Sequence, residues 1–339
     1  MRFEFYHSGL TNVPKLSVDG TVDNSVHFSH WQGNTTAAEV KADTSTEIAL
    51  NLVSSPNRDE LTRGIELVTN NHFDTDGVLS VWTVLNAERA TDLRDKLIAA
   101  AEAGDFSELK TVDAVRASIV IQGTDQPVPD DEPGSPIASQ LAGETVEDEA
   151  RAYELVLPEV EKIITRTNDY EHLWREPWSR IAKAIESFER GSSKVVELAH
   201  GLSLITLAPE IFGPAGFDPA RHTAPFTAIS SYASGKLFLI GTPASNGWAY
   251  RIDYPYYSWA ETVVRPKIPR HDFTDYLLQL NQVETGNGQW SADKGELSSA
   301  IKFLGTDGKL AASRLNPDQV VQLLSQFLAS NYQLSASGL

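Results

Sequence analysis

The sequence predicts an α/β protein in which an N-terminal parallel sheet with crossover helices is followed by a C-terminal mixed α+β unit. Three features carry that expectation. Short apolar strands alternate with helix-forming stretches over residues 1–85, the pattern of a parallel sheet whose connections are helices. Residues 123–149 are acidic and rich in Pro, Gly and Ser, with no periodicity that would bury a face. From Gly191 onward, strand-like runs predominate. The expected divisions are 1–122, an α/β domain; 123–190, an acidic loop and helical connector; and 191–339, an α+β substrate or accessory domain. A chain of 339 residues exceeds what one small core organises, which agrees with more than one unit.

Taken in order, the opening R-F-E-F-Y interleaves charge with aromatics and reads as a first strand, not a secretory leader. Residues 15–19 (K-L-S-V-D) and 25–29 (S-V-H-F-S) are the next strands, parted by a polar turn at 20–24. A helix starts at Thr44, because Glu47 stands at the capping-box spacing and apolar residues recur at helical intervals to Val53. Residues 64–69 (G-I-E-L-V-T) form a strand that runs through N-N-H-F-D-T-D-G into a helix over 78–85. Residues 151–190 have helical composition, interrupted at Pro158 and Pro177, each of which lacks an amide donor. Strands are then expected at 194–207, 226–231, 236–240 and 248–257. Helices are expected at 273–280 and 317–328, the last capped by Asn316 with Pro317 at its first position. Gly286-Asn287-Gly288 reads as a turn.

The absence of cysteine excludes disulfides, thiolate metal ligands and cysteine nucleophiles, so a metal ion would be held by oxygen and imidazole nitrogen. A formal charge of -18 disfavours duplex nucleic acid as a partner and leaves small phosphate-bearing molecules. A mean hydropathy of -0.26 and the lack of any membrane-spanning apolar run predict a soluble, cytoplasmic protein without membrane contact. Oligomeric state has no signature in the sequence.

The most informative stretch is His72-Phe73-Asp74-Thr75-Asp76-Gly77, with three potential ligands at alternate positions between a strand and a helix, where parallel sheets assemble ligand sites. An Asp before an apolar helical run also serves as an N-cap. One cap requires one Asp, however, and three ligand-type residues in five positions exceed that need. A second cluster comprises Asp19 at a strand end and His27-Phe28-Ser29-His30-Trp31, in which strand alternation lets only one histidine reach a given site. Further on, Y-R-I-D-Y-P-Y-Y-S-W-A-E-T-V-V-R-P-K-I-P-R sets Arg251, Arg265, Lys267 and Arg270 amid aromatics. These are either a local cationic group for a substrate anion or ordinary surface residues.

Together these clusters resemble the DHH phosphoesterase superfamily over residues 15–110. The stretch from His72 to Gly77, followed by Ser80, resembles the family's first motif, in particular the D-x-D-G-x-x-S element of its RecJ-type nucleases. Asp19 resembles the lone aspartate of the second motif, and Ser29-His30-Trp31 with Asn34 stands where D-H-H and a nearby asparagine would be. Asp43-Thr44-Ser45-Thr46-Glu47 resembles the S-T-x-E helix start, and Asp105 the fourth-motif aspartate. The order differs from the family's, since its first motif here follows the second and third, as after a circular permutation. Ser29 and Trp31 replace its first Asp and second His. The whole chain also resembles an uncharacterised bacterial family of unknown function.

The DHH resemblance implies a metal-dependent hydrolase of phosphoester or phosphoanhydride bonds in a small or single-stranded phosphate-bearing substrate, using two Mn2+ or Mg2+ ions. It implies that His72, Asp74 and a bridging Asp19 hold one ion. Asp76, Asp19, His30 and either Asp105 or Asp43 would hold the other, with Asp19, His30 and Asp76 as catalytic residues and Asn34, Arg265 and Arg270 as substrate contacts. The alternative class is a non-catalytic binding or interaction protein on the same fold, its site eroded at Ser29 and Trp31.

Overall fold

The computed structural model describes residues 1–128, 131–268, 270–293 and 300–336. The chain forms two compact units. The first takes Met1–Asp125, Asp130–Ser179 and Tyr256–Lys267; the second takes Gln126–Pro129, Arg180–Pro255 and Ile268–Leu339.

In the first unit, β1 (Arg2–Phe3), β2 (Lys15–Val18), β3 (Val26–Phe28) and β4 (Leu67–Thr69) form an all-parallel sheet in the order β1-β4-β2-β3. Leu16, Val18, Phe28, Leu67 and Val68 are buried, as befits parallel strands covered on both faces. Lys15 is buried with them, and its Nζ replaces lost water by donating to the carbonyls of Leu10, Thr11, Val13 and Asn24. Helix Ser45–Ser54 starts as the sequence predicts, with Thr44 Oγ1 accepting from the Glu47 amide at 3.2 Å. Helix Thr75–Leu85 is buried along nearly its whole length, so it is the unit's central helix.

The acidic stretch 123–149 is not a plain loop. It contains helix Pro136–Ala142, with Ser135 as N-cap, Pro at the first position and Gly143 in the left-handed region at φ 73. Those boundary signals are present in S-P-I-A-S-Q-L-A-G, but the surrounding acidic composition obscures them. Residues 129 and 130 of that stretch lie outside the described residues. Helix Glu149–Val156 ends ahead of Pro158 as expected, whereas Pro177 sits inside the continuous helix Glu171–Glu189. There the helix loses a backbone bond yet persists, because Trp174, Ile181, Ala184 and Phe188 remain buried at helical spacing.

The second unit carries a six-stranded mixed sheet of β5 (Lys194–Glu197), β6 (Leu202–Thr206), β7 (Leu237–Ala244), β8 (Gly247–Asp253), β9 (Gly288–Ala292) and β10 (Ile301–Gly305), in the order β5-β6-β7-β8-β10-β9. Among the described strands of this sheet, β6 and β7 pair parallel and the other neighbours antiparallel. The expected single strand at 194–207 is an antiparallel hairpin that turns through His200 (φ 62) and Gly201 (φ 73). The expected strand at 226–231 is a helix, Phe226–Tyr232. Its β-branched and aromatic content suggested a strand, but Phe226 and Ile229 bury one helical face at i, i+3 spacing. β9 and β10 were not anticipated. The C-terminal helix Pro317–Ala336 is capped reciprocally, with Asn316 Oδ1 accepting from the Gln319 amide at 3.0 Å and Gln319 Oε1 from the Asn316 amide at 2.9 Å. Among the described residues, no helix is long and apolar enough to cross a membrane.

Candidate metal centre

Three adjacent parallel strands deliver the site at their carboxyl ends. Asp19 directly follows β2, His30 lies two residues past β3, and His72 three past β4. Asp74 is the N-cap of helix Thr75–Leu85, Asp76 lies in its first turn, and Asp105 is in the last turn of helix Arg94–Phe106. Asp19 adopts the left-handed conformation at φ 50, which aspartate tolerates better than most residues.

The side chains form two groups that share Asp19. In one, Asp19, His30, Asp76 and Asp105 offer ligand atoms within 4.8 Å of one another; in the other, Asp19, His72 and Asp74 do so. His30 Nε2 lies 3.3 Å from Asp19 Oδ1, 3.7 Å from Asp76 Oδ2 and 3.2 Å from Asp105 Oδ2. His72 Nε2 lies 3.1 Å from both Asp19 Oδ2 and Asp74 Oδ2. The first group is sealed, with the His30, Asp19 and Asp76 side chains fully buried, whereas the His72 and Asp74 side chains are 24% and 28% exposed.

The protonation of His30 bears on what the sealed group holds. Its Nδ1 lies 2.7 Å from the Asp43 carbonyl, which can only accept, so Nδ1 carries a hydrogen and the neutral ring presents a bare lone pair at Nε2. That lone pair faces three carboxylates. His30 Nε2 and Asp105 Oδ2 are both buried and neither makes a hydrogen bond of acceptable geometry. These atoms are reconciled by a proton, on Nε2 or on a facing carboxyl, or by a metal ion. The set offers only carboxylate oxygen and imidazole nitrogen, and the Asp43 carbonyl fixes the tautomer that such a nitrogen donor needs.

Several of these groups are also structural. Asp76 accepts from the Ser45 and Thr46 amides, each at 2.7 Å, and so supplies the negative charge favoured at the N-terminus of helix Ser45–Ser54. Asp74 caps its own helix through Oδ1, 2.7 Å from the Gly77 amide, while Oδ2 faces His72. Capping and cluster membership thus use different oxygens of one carboxylate. A Cβ at Gly77 would come within 2.5 Å of Asn70 Nδ2 and 2.6 Å of the Tyr153 hydroxyl, which explains the glycine in the motif.

Other residues that the sequence singled out stand elsewhere. Asp43 belongs to neither group; its carboxylate accepts from the amides of Val263, Val264 and Arg265 and from the Arg265 guanidinium. Arg265 is engaged with Asp43, Glu102 and Glu108 at 2.7, 2.7 and 2.6 Å, not held open toward a substrate. Asn34 Nδ2 donates to Glu261 and to the Trp31 carbonyl, at 2.8 and 2.9 Å. Arg270 belongs to the second unit, where its guanidinium lies 4.3 Å from the Tyr254 ring. Sequence reading gave no role to Trp259, whose ring meets His30 edge-on at 4.9 Å, or to Tyr153, whose hydroxyl donates to the His72 carbonyl.

Burial favours a higher Asp19 pKa, but the adjacent His30 and His72 imidazoles outweigh it and hold the carboxyl well below the usual range. Burial opposes protonated His72, yet Asp74 and Asp19 overcome it and push the imidazole up to about 12. Burial and the Asp19 charge push Asp76 up to about 7. Burial and the charges of Asp76 and Asp74 raise Asp105 well above the ordinary value. Ion-free folded protein therefore retains a proton on Asp76 that the unfolded chain releases above about pH 4. That stabilisation is full below about pH 4 and is lost as pH rises toward about 7. His72 makes its corresponding loss mainly above pH 6.5, the usual value. In chelator, the urea midpoint of the wild type should fall more steeply from about pH 4 to pH 7 than that of Asp76→Asn. Parallel curves would remove Asp76 from the proton balance.

A family model described as a family of unknown function, DUF6687, matches residues 2–337. Among solved structures, the pGpG-specific phosphodiesterase PggH from Vibrio cholerae is 9% identical, with a TM-score of 0.38, over 94% of this chain and 99% of that one. A DHH domain described as a member of the s1p family of ribosomal proteins is 13% identical, with a TM-score of 0.32, over 90% of this chain and 63% of that one. No curated protein matches the sequence.

Proposed function

We infer that this chain, which belongs to the DUF6687 family of unknown function, is a metal-dependent hydrolase of phosphoester or phosphoanhydride bonds in a small phosphate-bearing substrate. The observation that carries the reading is the divided Asp19 carboxylate, with Oδ1 facing His30 and Oδ2 facing His72. Each oxygen heads a separate set of oxygen and nitrogen donors, the arrangement by which a carboxylate bridges a pair of ions. Asp105, not Asp43, completes the sealed set. The DHH resemblance of the D-x-D-G-x-x-S element agrees with this chemistry.

Bound Mn2+ or Mg2+ would lower the pKa of a coordinated water and neutralise charge on phosphate oxygens. The chain's own residues prepare for that. His30 is fixed in one tautomer by the Asp43 carbonyl, and Asp76 is held by two helix amides. His72 and Asp74, partly exposed, mark the side from which substrate enters, and the Trp31 ring stands 5.2 Å from the His72 ring there. A second reading rests on Trp31 itself: an indole where the resemblance places the second histidine of D-H-H suits a protein that binds a phosphate compound without cleaving it.

Calorimetric titration with Mn2+ and Mg2+, paired with a screen of generic phosphodiesters and pyrophosphate, tests both. Ion-dependent turnover abolished by chelator is the expected result. Tight ion binding with no turnover would transfer the case to the binding protein, and absence of ion uptake would sink both readings.

A further inference from the structure

We propose that residues 256–267 form a strap that positions His30 for metal binding, with Asp43 and Arg265 as positioning residues. The proposal rests on the metal reading of the site. The strap belongs to the same compact unit as the cluster although more than two hundred residues separate it from His30 in sequence.

The strap reaches His30 in three ways. The Glu261 amide donates to the His30 carbonyl at 2.7 Å, fixing the backbone that carries the ring. The Trp259 ring packs edge-on against the imidazole at 4.9 Å, limiting its rotation. The third route runs through Asp43, whose carbonyl holds His30 Nδ1 while its carboxylate is held by three strap amides and the Arg265 guanidinium. One residue thus joins the strap to the ligand through its two ends. The turn after His30 is tied as well: Gln32 Nε2 donates to the Trp259 carbonyl at 2.9 Å, and the Gly33 amide and Asn34 Nδ2 donate to the Glu261 carboxylate at 3.1 and 2.8 Å.

Arg265 anchors the strap's far end. Its guanidinium meets Asp43, Glu102 and Glu108 and lies 4.7 Å from the Phe106 ring, next to Asp105 in sequence. Four charged groups of which three are acidic form a charge-assisted network that is rigid only while the guanidinium is present. Outer partners of a metal-binding histidine set its orientation and tautomer, and their loss typically costs about 10- to 100-fold in metal affinity. Linkage is reciprocal, so an ion that requires this His30 orientation must in turn favour the docked strap. Because these hydrogen bonds and ring contacts converge on His30, the effect falls on the ion that His30 would hold.

The test compares two-site Mn2+ titrations of the wild type, Arg265→Met and Arg265→Lys, together with hydrogen exchange of wild-type amides 261–265 with and without saturating Mn2+. Arg265→Met should weaken one of the two binding steps about tenfold or more and leave the other unchanged, with partial recovery in Arg265→Lys. Mn2+ should slow exchange of amides 261–265 in the wild type, an arm that decides the matter even if Arg265→Met does not fold. A merely structural Arg265 would lower the melting temperature in chelator without separating the two affinities. Wild-type affinity for both ions in Arg265→Met, or exchange unaffected by bound Mn2+, would overturn the strap while leaving the metal reading intact. Absence of Mn2+ uptake by the wild type would instead overturn the metal reading and the strap's role with it.

Discussion

Asp19→Asn should abolish tight uptake of both ions and lower any phosphodiesterase turnover by about a thousandfold, corresponding to roughly 4 kcal/mol of lost transition-state stabilisation. Among the described residues, no other side chain serves both ligand groups. Asparagine isolates the charge from the backbone, because it tolerates the left-handed φ of 50 nearly as well as aspartate does. Its amide oxygen can still accept from Ser45 Oγ, which lies 2.9 Å from Asp19 Oδ1. Loss of function in this variant is therefore loss of a bridging anion, not of a turn. Calorimetric titration and turnover with Mn2+ check it, and two intact binding steps in Asp19→Asn would show that the carboxylate does not bridge.

The second large effect is on melting. Carboxylates and imidazoles gathered at 3.1–3.7 Å repel or must retain protons when no ion is bound, so an ion that binds only the folded protein raises its stability by mass action. At an ion concentration about 100 times the dissociation constant the gain is about 2.7 kcal/mol. For a unit of this size that corresponds to a rise of about 5–10 °C in the transition that reports the first unit. Asp74→Ala should start lower in chelator, because it loses a cap contributing about 1 kcal/mol, and should gain much less from Mn2+. The comparison is made within each protein, with and without ion. Equal melting of the wild type in chelator, Mg2+ and Mn2+ would leave His72, Asp74 and Asp76 as a turn and helix cap.

The parts of the site that were legible in the sequence are those that local structure dictates. Asp19, His30 and His72 each follow a short apolar strand, and parallel strands bring their carboxyl ends to one edge. Asp74 and Asp76 open a helix whose apolar periodicity is plain. The choice between Asp43 and Asp105 was not legible, because it turns on which way a carboxylate points. Asp43 faces strap amides 220 to 222 positions away, a relation no local pattern encodes. Trp259 and Glu261 were missed for the same reason. In the fold, helix Phe226–Tyr232 was read as a strand because residue composition and helical spacing disagree there, and packing of Phe226 and Ile229 settles it for the helix. Helix Pro136–Ala142 carries proper boundary residues within acidic surroundings, a case where composition outweighed a correct local signal.

The placement of Tyr256–Lys267 in the first unit also has a consequence for synthesis of the protein. The strands of that unit's sheet are complete once Thr69 has emerged, and Asp105 follows soon afterwards. The strap, however, leaves the ribosome only after residues 70–255 have been made, on the order of ten to forty seconds later at ~5–20 residues per second. Throughout that interval the nascent chain carries Asp43, Glu102 and Glu108 without the Arg265 counter-charge, and His30 without its contacts to Trp259 and Glu261. The unit closes last at the network of Arg265 with Asp43, Glu102 and Glu108, and an N-terminal fragment lacking residues 256–267 is an arrested version of that intermediate.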